Sequence, residues 1–512
     1  MEDRETSAAQ EAKPSGRRRH HSSEPGESRF AAAAVSDALH AVGFWLAGAV
    51  ALVSPWLFAS WEMWWFWSVC TVLCVALAAS GAATVLDEAY LRPNHQLDPH
   101  HRHVPARAVA FLASCVPFLV YALARAAHPS GRGSPIVAME SERSLLLFAT
   151  PLALGLVHLL SSRTVWRARL VRLLMADFVL VCACAVATHF ANGDTQILWV
   201  AANDFHYVGR ASAPYYCPNH FVDFAGAGMF VFLATALTPR VRLRTLLPAL
   251  LGAAFCGWAA FLSLSRGGIA SIAATLFLGV PLFAFLTRPA WVRALCATLV
   301  VAVVACVVTL VRTTDNALVE RYSGNSVWKA WVSSENTSEF LDKFKDAFWF
   351  GFDRGQYIGS VLRAWKSNPV WGIGPGQHSN RWAQFEASED GVRPTLPDLS
   401  DMKLPRQRGY YKHLYEVHSD WTQLLEEYGI VGFALFLVPA ICLALTLYHR
   451  IRTCSDGDAR TIDRALPLGT LLVFFMLALH CVFDFSLQLP ATVWLFATLA
   501  SISVLSEGEA VA

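Results

Sequence analysis

Apolar stretches of roughly 20 residues recur along this chain from residue 38 to residue 506. As a helix, a stretch of that length crosses a bilayer core of about 30 Å. No water is available there to satisfy backbone N–H and C=O groups, so repeated stretches of this kind fold as spanning helices. Only 16% of the 512 residues are charged and 55% are hydrophobic, where a soluble chain carries about 25% charged residues. The expected class is an all-α polytopic membrane protein.

Twelve spans are expected, at 38–60, 63–86, 107–127, 143–161, 173–190, 219–238, 243–263, 267–287, 291–311, 428–448, 465–484 and 488–506. Short loops rich in Lys and Arg stay in the cytoplasm. Arg92, Arg102 and Arg107 follow the second span, and Arg163, Arg167, Arg169 and Arg172 the fourth. Arg240, Arg242 and Arg244 follow the sixth, and Arg288 and Arg293 the eighth. Arg450, Arg452, Arg460 and Arg464 follow the tenth. This alternation places both termini in the cytoplasm of a bacterial inner membrane and the odd-numbered loops on the periplasmic side. Residues 1–34, with Arg17, Arg18 and Arg19, read as a disordered cytoplasmic tail without a cleavable leader, and 507–512 as a second tail. Between spans 35–311 and 428–506 lies one long outer loop, 312–427, mixed in charge and rich in aromatic residues. Phe340, Leu341, Phe344 and Phe348 within it have the spacing of an amphipathic helix.

Most of the twelve cysteines fall within apolar stretches. No disulfide framework and no zinc spacing is visible. The net charge of +2 points to no partner class, and no nucleic-acid partner is expected.

Four segments can carry chemistry on the outer side. Ser263-Leu264-Ser265-Arg266-Gly267-Gly268 joins two spans with almost no loop. An arginine held there suits a bidentate anion such as phosphate, or snorkels to lipid headgroups. Arg210 precedes Pro218-Asn219-His220 at the start of the sixth span, near Asp204 and His206, and Asn219 can cap that helix. His418-Ser419-Asp420-Trp421-Thr422-Gln423 runs through Glu427 and Gly429 into the tenth span. Helical spacing puts 418, 421, 425 and 428 on one face, with His418 at the outer mouth as a candidate general base or an interfacial histidine. Asn368-Pro369-Val370-Trp371-Gly372-Ile373-Gly374-Pro375-Gly376 lacks the preceding strand of a dinucleotide site and reads as a tight turn. Asp177, Asp223, His480 and Asp484 lie within spans, as transport-path residues or as hydrogen-bond partners between helices. Asp456-Gly457-Asp458 lacks the domain that a nucleotide-sugar metal pair needs, and the histidines at 95, 100, 101 and 103 are spaced too irregularly for a metal.

In this order and on this side, these motifs resemble the O-antigen ligase / O-antigen polymerase superfamily. The resemblance rests on Arg210 leading into Pro218-Asn219-His220, on Ser265-Arg266-Gly267, on Asn368 to Gly376, and on His418, Asp420, Trp421, Gln423, Glu427 and Gly429. Asp484-Phe485 followed by Pro490-Ala491 completes it. Ser419 stands where the family usually has Asn, and Thr422 where Leu is common. The resemblance implies a GT-C-like, metal-independent glycosyltransferase without a cofactor. Its donor would be a glycan on a polyprenyl diphosphate, its acceptor a hydroxyl of a glycolipid or polysaccharide, and membrane lipid its surroundings. Arg266 and Arg210 would hold the diphosphate and His418 would take the acceptor proton, with Asp420 or Glu427 orienting it. Asn219, His220, Ser265, Gly374, Asp420, Gln423 and Glu427 would line the substrate. A ligase, a repeat-unit polymerase and a protein O-oligosaccharyltransferase share this chemistry, and a transporter is the alternative of a different class.

Overall fold

The computed structural model describes residues 25–91, 106–127, 138–203, 207–238, 241–281, 338–339, 353–381, 416–453 and 461–505. The helices are α1 (Pro25–Val53), α2 (Met63–Leu86), α3 (Ala106–Ala127), α4 (Ala138–Ser161), α5 (Thr164–Asn192), α6 (Pro218–Ala236), α7 (Leu243–Leu262) and α8 (Arg266–Ala274). Then come α9 (Asp353–Ser367), α10 (His378–Arg381), α11 (Asp420–Thr453), α12 (Thr461–His480) and α13 (Pro490–Val504). A two-stranded hairpin, Gln196–Ile197 with Ala201–Ala202, follows α5. The protein is a polytopic all-α membrane protein. Seven helices (α1–α5, α7 and α11) are long and apolar enough to cross a bilayer, and Arg266–Gly279, Ala465–His480 and Pro490–Val504 are apolar but shorter. The expected ninth span at 291–311, the aromatic segment at 340–348, Asp204, His206, the histidines at 95–103 and the acidic pair at 456–458 lie outside the described residues.

The start of the fifth helix differs from expectation. The fifth helix begins at Thr164, so Arg167, Arg169 and Arg172 sit in its first turns and not in a loop. Helix propensity in these long side chains carries the element past the apolar stretch.

Helix α6 is the axis of the bundle and is buried on nearly all sides. Small residues let its neighbours approach. A β-carbon at Gly226 would stand 2.5 Å from Met476 Sδ of α12, and one at Gly228 would stand 2.8 Å from Phe178 of α5. The central core includes Phe178, Phe221, Phe224, Phe230 and Leu472. A second core joins α1, α2, α4 and α13 through Phe66, Leu73, Leu154 and Trp494.

At one end of the bundle a buried polar knot ties α1, α2 and α4. His40 Nδ1 lies 2.9 Å from Ser161 Oγ, and His40 Nε2 lies 3.0 Å from Asp87 Oδ2. Ser36 also donates to Asp87, and Ser161 to Ser80 at 2.8 Å. Arg163 pairs with Asp37 at the same end.

At the opposite end α11 is broken. Gly429 adopts φ 65°, ψ −174°, a conformation open essentially to glycine alone. The break releases backbone groups that a continuous helix would pair with each other. Segment 368–374 takes them up. Ile373 and Gly374 donate to the Glu426 and Glu427 carbonyls at 2.9 Å, while Ile430 and Val431 donate to Pro369 and Val370 at 2.9 and 3.3 Å. The two backbones cross so closely that a β-carbon at Gly429 would stand 2.3 Å from Val370 O. Gly429→Ala is therefore expected to destabilise the protein by about 2–3 kcal/mol or more, measured as a lower melting temperature in detergent; an unchanged melting temperature would refute the crossing.

Candidate functional site

The ends of α1, α5, α7 and α12 meet the starts of α2, α6, α8, α11 and α13 at the end of the bundle where α11 breaks. There the chain places four separated polar residues in a row. Arg210, in the segment before α6, is 5% exposed. Its Nε donates to Ser263 O at 3.0 Å and its Nη2 to Asn219 Oδ1 at 3.0 Å. Asn219 Nδ2 donates to Asp484 Oδ2 at 2.8 Å. Asp484 Oδ1 lies 3.5 Å from His418 Nδ1. Asn219 is thus not the cap of α6. Cys217 occupies the cap position without a side-chain bond, and Asn219 is a bridge between a guanidinium and a carboxylate.

Asp484 is the hub. It is 1% exposed and also accepts from Phe485 N at 3.0 Å. His220 Nε2 and His480 Nε2 each stand 3.9 Å from its oxygens. His418 is the most accessible of these histidines, its side chain 33% exposed against 7% for His220 and 0% for His480. Its ring packs edge-on to Phe485 at 4.9 Å, and His220 packs on the same ring at 4.6 Å. A carboxylate at Nδ1 favours the proton there and leaves Nε2 as an acceptor, the state a general base needs.

His418 does not share a helical face with Trp421, Leu425 and Tyr428. It precedes α11 and has φ 57°, a left-handed value that costs a non-glycine residue about 1–2 kcal/mol. Strain of this kind gathers at functional sites. Gln423 holds the turn, accepting from Val417 N at 3.2 Å and donating to Glu416 at 3.0 Å. The Ser419 carbonyl accepts from Gln423 N at 3.0 Å and Thr422 Oγ1 at 3.1 Å.

Neither expected partner orients His418. Asp420 Oδ2 accepts from Leu487 N at 2.8 Å, and its own amide donates to Cys481 and Asp484 carbonyls, fastening α11 to the turn after α12. Glu427 accepts from Gly376 N at 2.9 Å and His378 N at 3.3 Å. The glycine segment is thus wrapped around a carboxylate, and the Gly374 amide is taken by the Glu427 carbonyl. His378 Nδ1 lies 2.8 Å from Glu426 Oε2. Burial pulls the His378 pKa down, but Glu426 and the other nearby glutamates outweigh it and raise it above the usual histidine range. From the bundle side, Arg125 and Tyr121 of α3 bond the Trp371 carbonyl at 3.0 and 3.1 Å, and Ser141 of α4 the Pro375 carbonyl at 2.8 Å.

Ser265 caps α8, accepting from Gly268 N at 3.3 Å. Arg266 is the first residue of that helix and half-buried. The turn abuts the end of α12, since a β-carbon at Gly267 would lie 3.2 Å from His480 Nε2. Deeper in, Asp223 meets His480 Nδ1 at 2.7 Å and Ser486 Oγ at 2.7 Å, and Asp177 accepts from Trp56 at 2.8 Å. These are bonds between helices, as one of the two expected readings has it. Among the described residues no group of three or more His, Cys, Asp or Glu could hold a metal ion.

The residue that the sequence reading left out of the site is Asp484. Its pairing with Phe485 in the family resemblance was the signal available. No curated protein matches the chain. Residues 251–437, which include Arg266 and His418 but not Arg210 or Asp484, match the family model described as O-Antigen ligase, and the match supports the O-antigen ligase superfamily.

Proposed function

We propose that the protein moves a glycan from an undecaprenyl-type diphosphate carrier to a hydroxyl acceptor, such as a glycolipid core, on the periplasmic face of the inner membrane. The observation that carries this is the row Arg210–Asn219–Asp484, hydrogen-bonded throughout, with His418 Nδ1 3.5 Å beyond it, which brings a cation and an imidazole to one carboxylate. His418 Nε2 takes the proton of the acceptor hydroxyl as its oxygen attacks the anomeric carbon. The bond from that carbon to the diphosphate oxygen breaks, and the charge left on the diphosphate falls to Arg210, Arg266 and the start of α8. Every loop expected outside that can be followed ends at this face, which supports the periplasmic placement. The buried Asn219–Asp484 contact also ties the base to the diphosphate side, so donor and acceptor sites are held in one frame.

Arg266→Lys is expected to lower transfer by about 10²-fold, because an ammonium cannot make a bidentate contact to a phosphate. Turnover with membrane-extracted lipid-linked glycan measures it, and wild-type rates in the lysine variant would remove Arg266 from the mechanism. A deletion strain separates the two closest activities. Full-length polymer stranded on the carrier lipid marks a ligase, and single repeat units mark a polymerase.

A further inference from the structure

Arg143 of α4 is a further guanidinium at this face, outside the matched region and outside the row described above. Its side chain is only 15% exposed. Among the described residues its polar neighbours are the carboxylates of Glu140 and Glu416, both at 3.9 Å and so beyond hydrogen-bond reach. Its carbon Cζ lies 4.6 Å over the Trp61 ring. A guanidinium this enclosed leaves N–H donors to spend. It lines a recess of about 20 Å³ with Glu140, Glu416, Gln423 and Gln488, room for a single water or one hydroxyl.

Trp61 is presented by a run of three non-glycine residues in left-handed conformation, Phe58, Ala59 and Ser60, with φ of 52°, 61° and 54°. Trp61 stands 5.9 Å from Phe485, whose ring packs on His418 at 4.9 Å. The recess is therefore two ring contacts from His418, and neither Arg210 nor Arg266 lines it. With the diphosphate at Arg210 and Arg266, as the transferase reading has it, the recess beyond Phe485 is left for the acceptor.

Resting on the transferase reading, we propose that Arg143, Glu140, Glu416 and Trp61 form an acceptor subsite for a neutral sugar flanking the one that is glycosylated, its ring on the indole and one hydroxyl in the recess. The Arg143 charge is already balanced by two carboxylates, which disfavours an anionic sugar. The Glu416 carboxylate can accept from a hydroxyl to which Arg143 or Gln423 donates. Guanidinium, carboxyl and amide groups together match a group that both donates and accepts.

The test uses the full chain in nanodiscs and, as probe, the soluble oligosaccharide released by deacylating the host's surface glycolipid. Arg143→Met is expected to raise the acceptor KM about tenfold and leave the donor KM and the pH profile of kcat unchanged. Glu140→Gln, at the rim, keeps the pocket filled and is expected to raise the acceptor KM about threefold. An unchanged acceptor KM in Glu140→Gln, or a raised donor KM in a folded Arg143→Met, overturns the subsite. If the wild type transfers no glycan, the transferase reading falls, and calorimetric binding of the same oligosaccharide decides the pocket alone. Weaker binding to Arg143→Met than to wild type sustains it. Equal binding, no binding to wild type, or tighter binding of a phosphorylated analogue overturns it.

Discussion

His418→Ala is expected to lower glycan transfer by about 10²–10⁴-fold, the usual contribution of a positioned general base, while leaving expression and membrane insertion intact. The imidazole is partly exposed, so its removal opens little space in the core. Its main packing partner, the Phe485 ring, is also held by His220. The left-handed backbone at 418 would tolerate glycine better than alanine, so His418→Gly is the companion that separates loss of the base from strain. Both variants should be inactive with melting temperatures close to wild type. Turnover within a few-fold of wild type in either would mean that another group takes the proton.

Asp484→Asn should cost nearly as much, about 10³-fold, though the side chains are nearly the same shape. An amide can turn its N–H₂ toward His418 Nδ1, which then becomes the acceptor and places the proton on Nε2. That tautomer cannot receive a proton from the substrate. The remaining oxygen still accepts from Asn219, but the N–H₂ now faces the Phe485 amide, so that hydrogen bond is lost as well. The double variant His418→Ala/Asp484→Asn should be no slower than the worse single variant, because the two act as a unit. Additive losses, or full activity in Asp484→Asn, would refute the pairing.

The spans were legible because hydropathy over about 20 residues reports directly on the solvent each segment needs. Arg210, Arg266 and His418 stood out because charge at an outer membrane boundary is costly without a use. The partnerships were not legible. Asp420 is near His418 in sequence, but a helix starting at Asp420 turns its carboxylate toward Leu487. Asp484 reaches His418 only because α11 and α12 pack side by side and end at one level, which local spacing does not encode. The glycine segment was read as a turn from its composition. That it mends a broken helix follows from Gly429, whose effect depends on a backbone angle and not on a side chain. Arg143 went unremarked because nothing around it in sequence reveals Trp61 beneath it.

The knot of His40, Asp87, Ser36, Ser80 and Ser161 bears on how the chain enters the bilayer. Helices reach the membrane in order of synthesis. When α1 and α2 are both inserted, His40 and Asp87 can meet each other, but the ring nitrogen that faces Ser161 depends on water at the membrane boundary until that hydroxyl is in place. That debt is cleared only when α4 arrives. The polar seam between the first two helices is thus completed by a helix made after α3, and the order of synthesis puts its closure at α4.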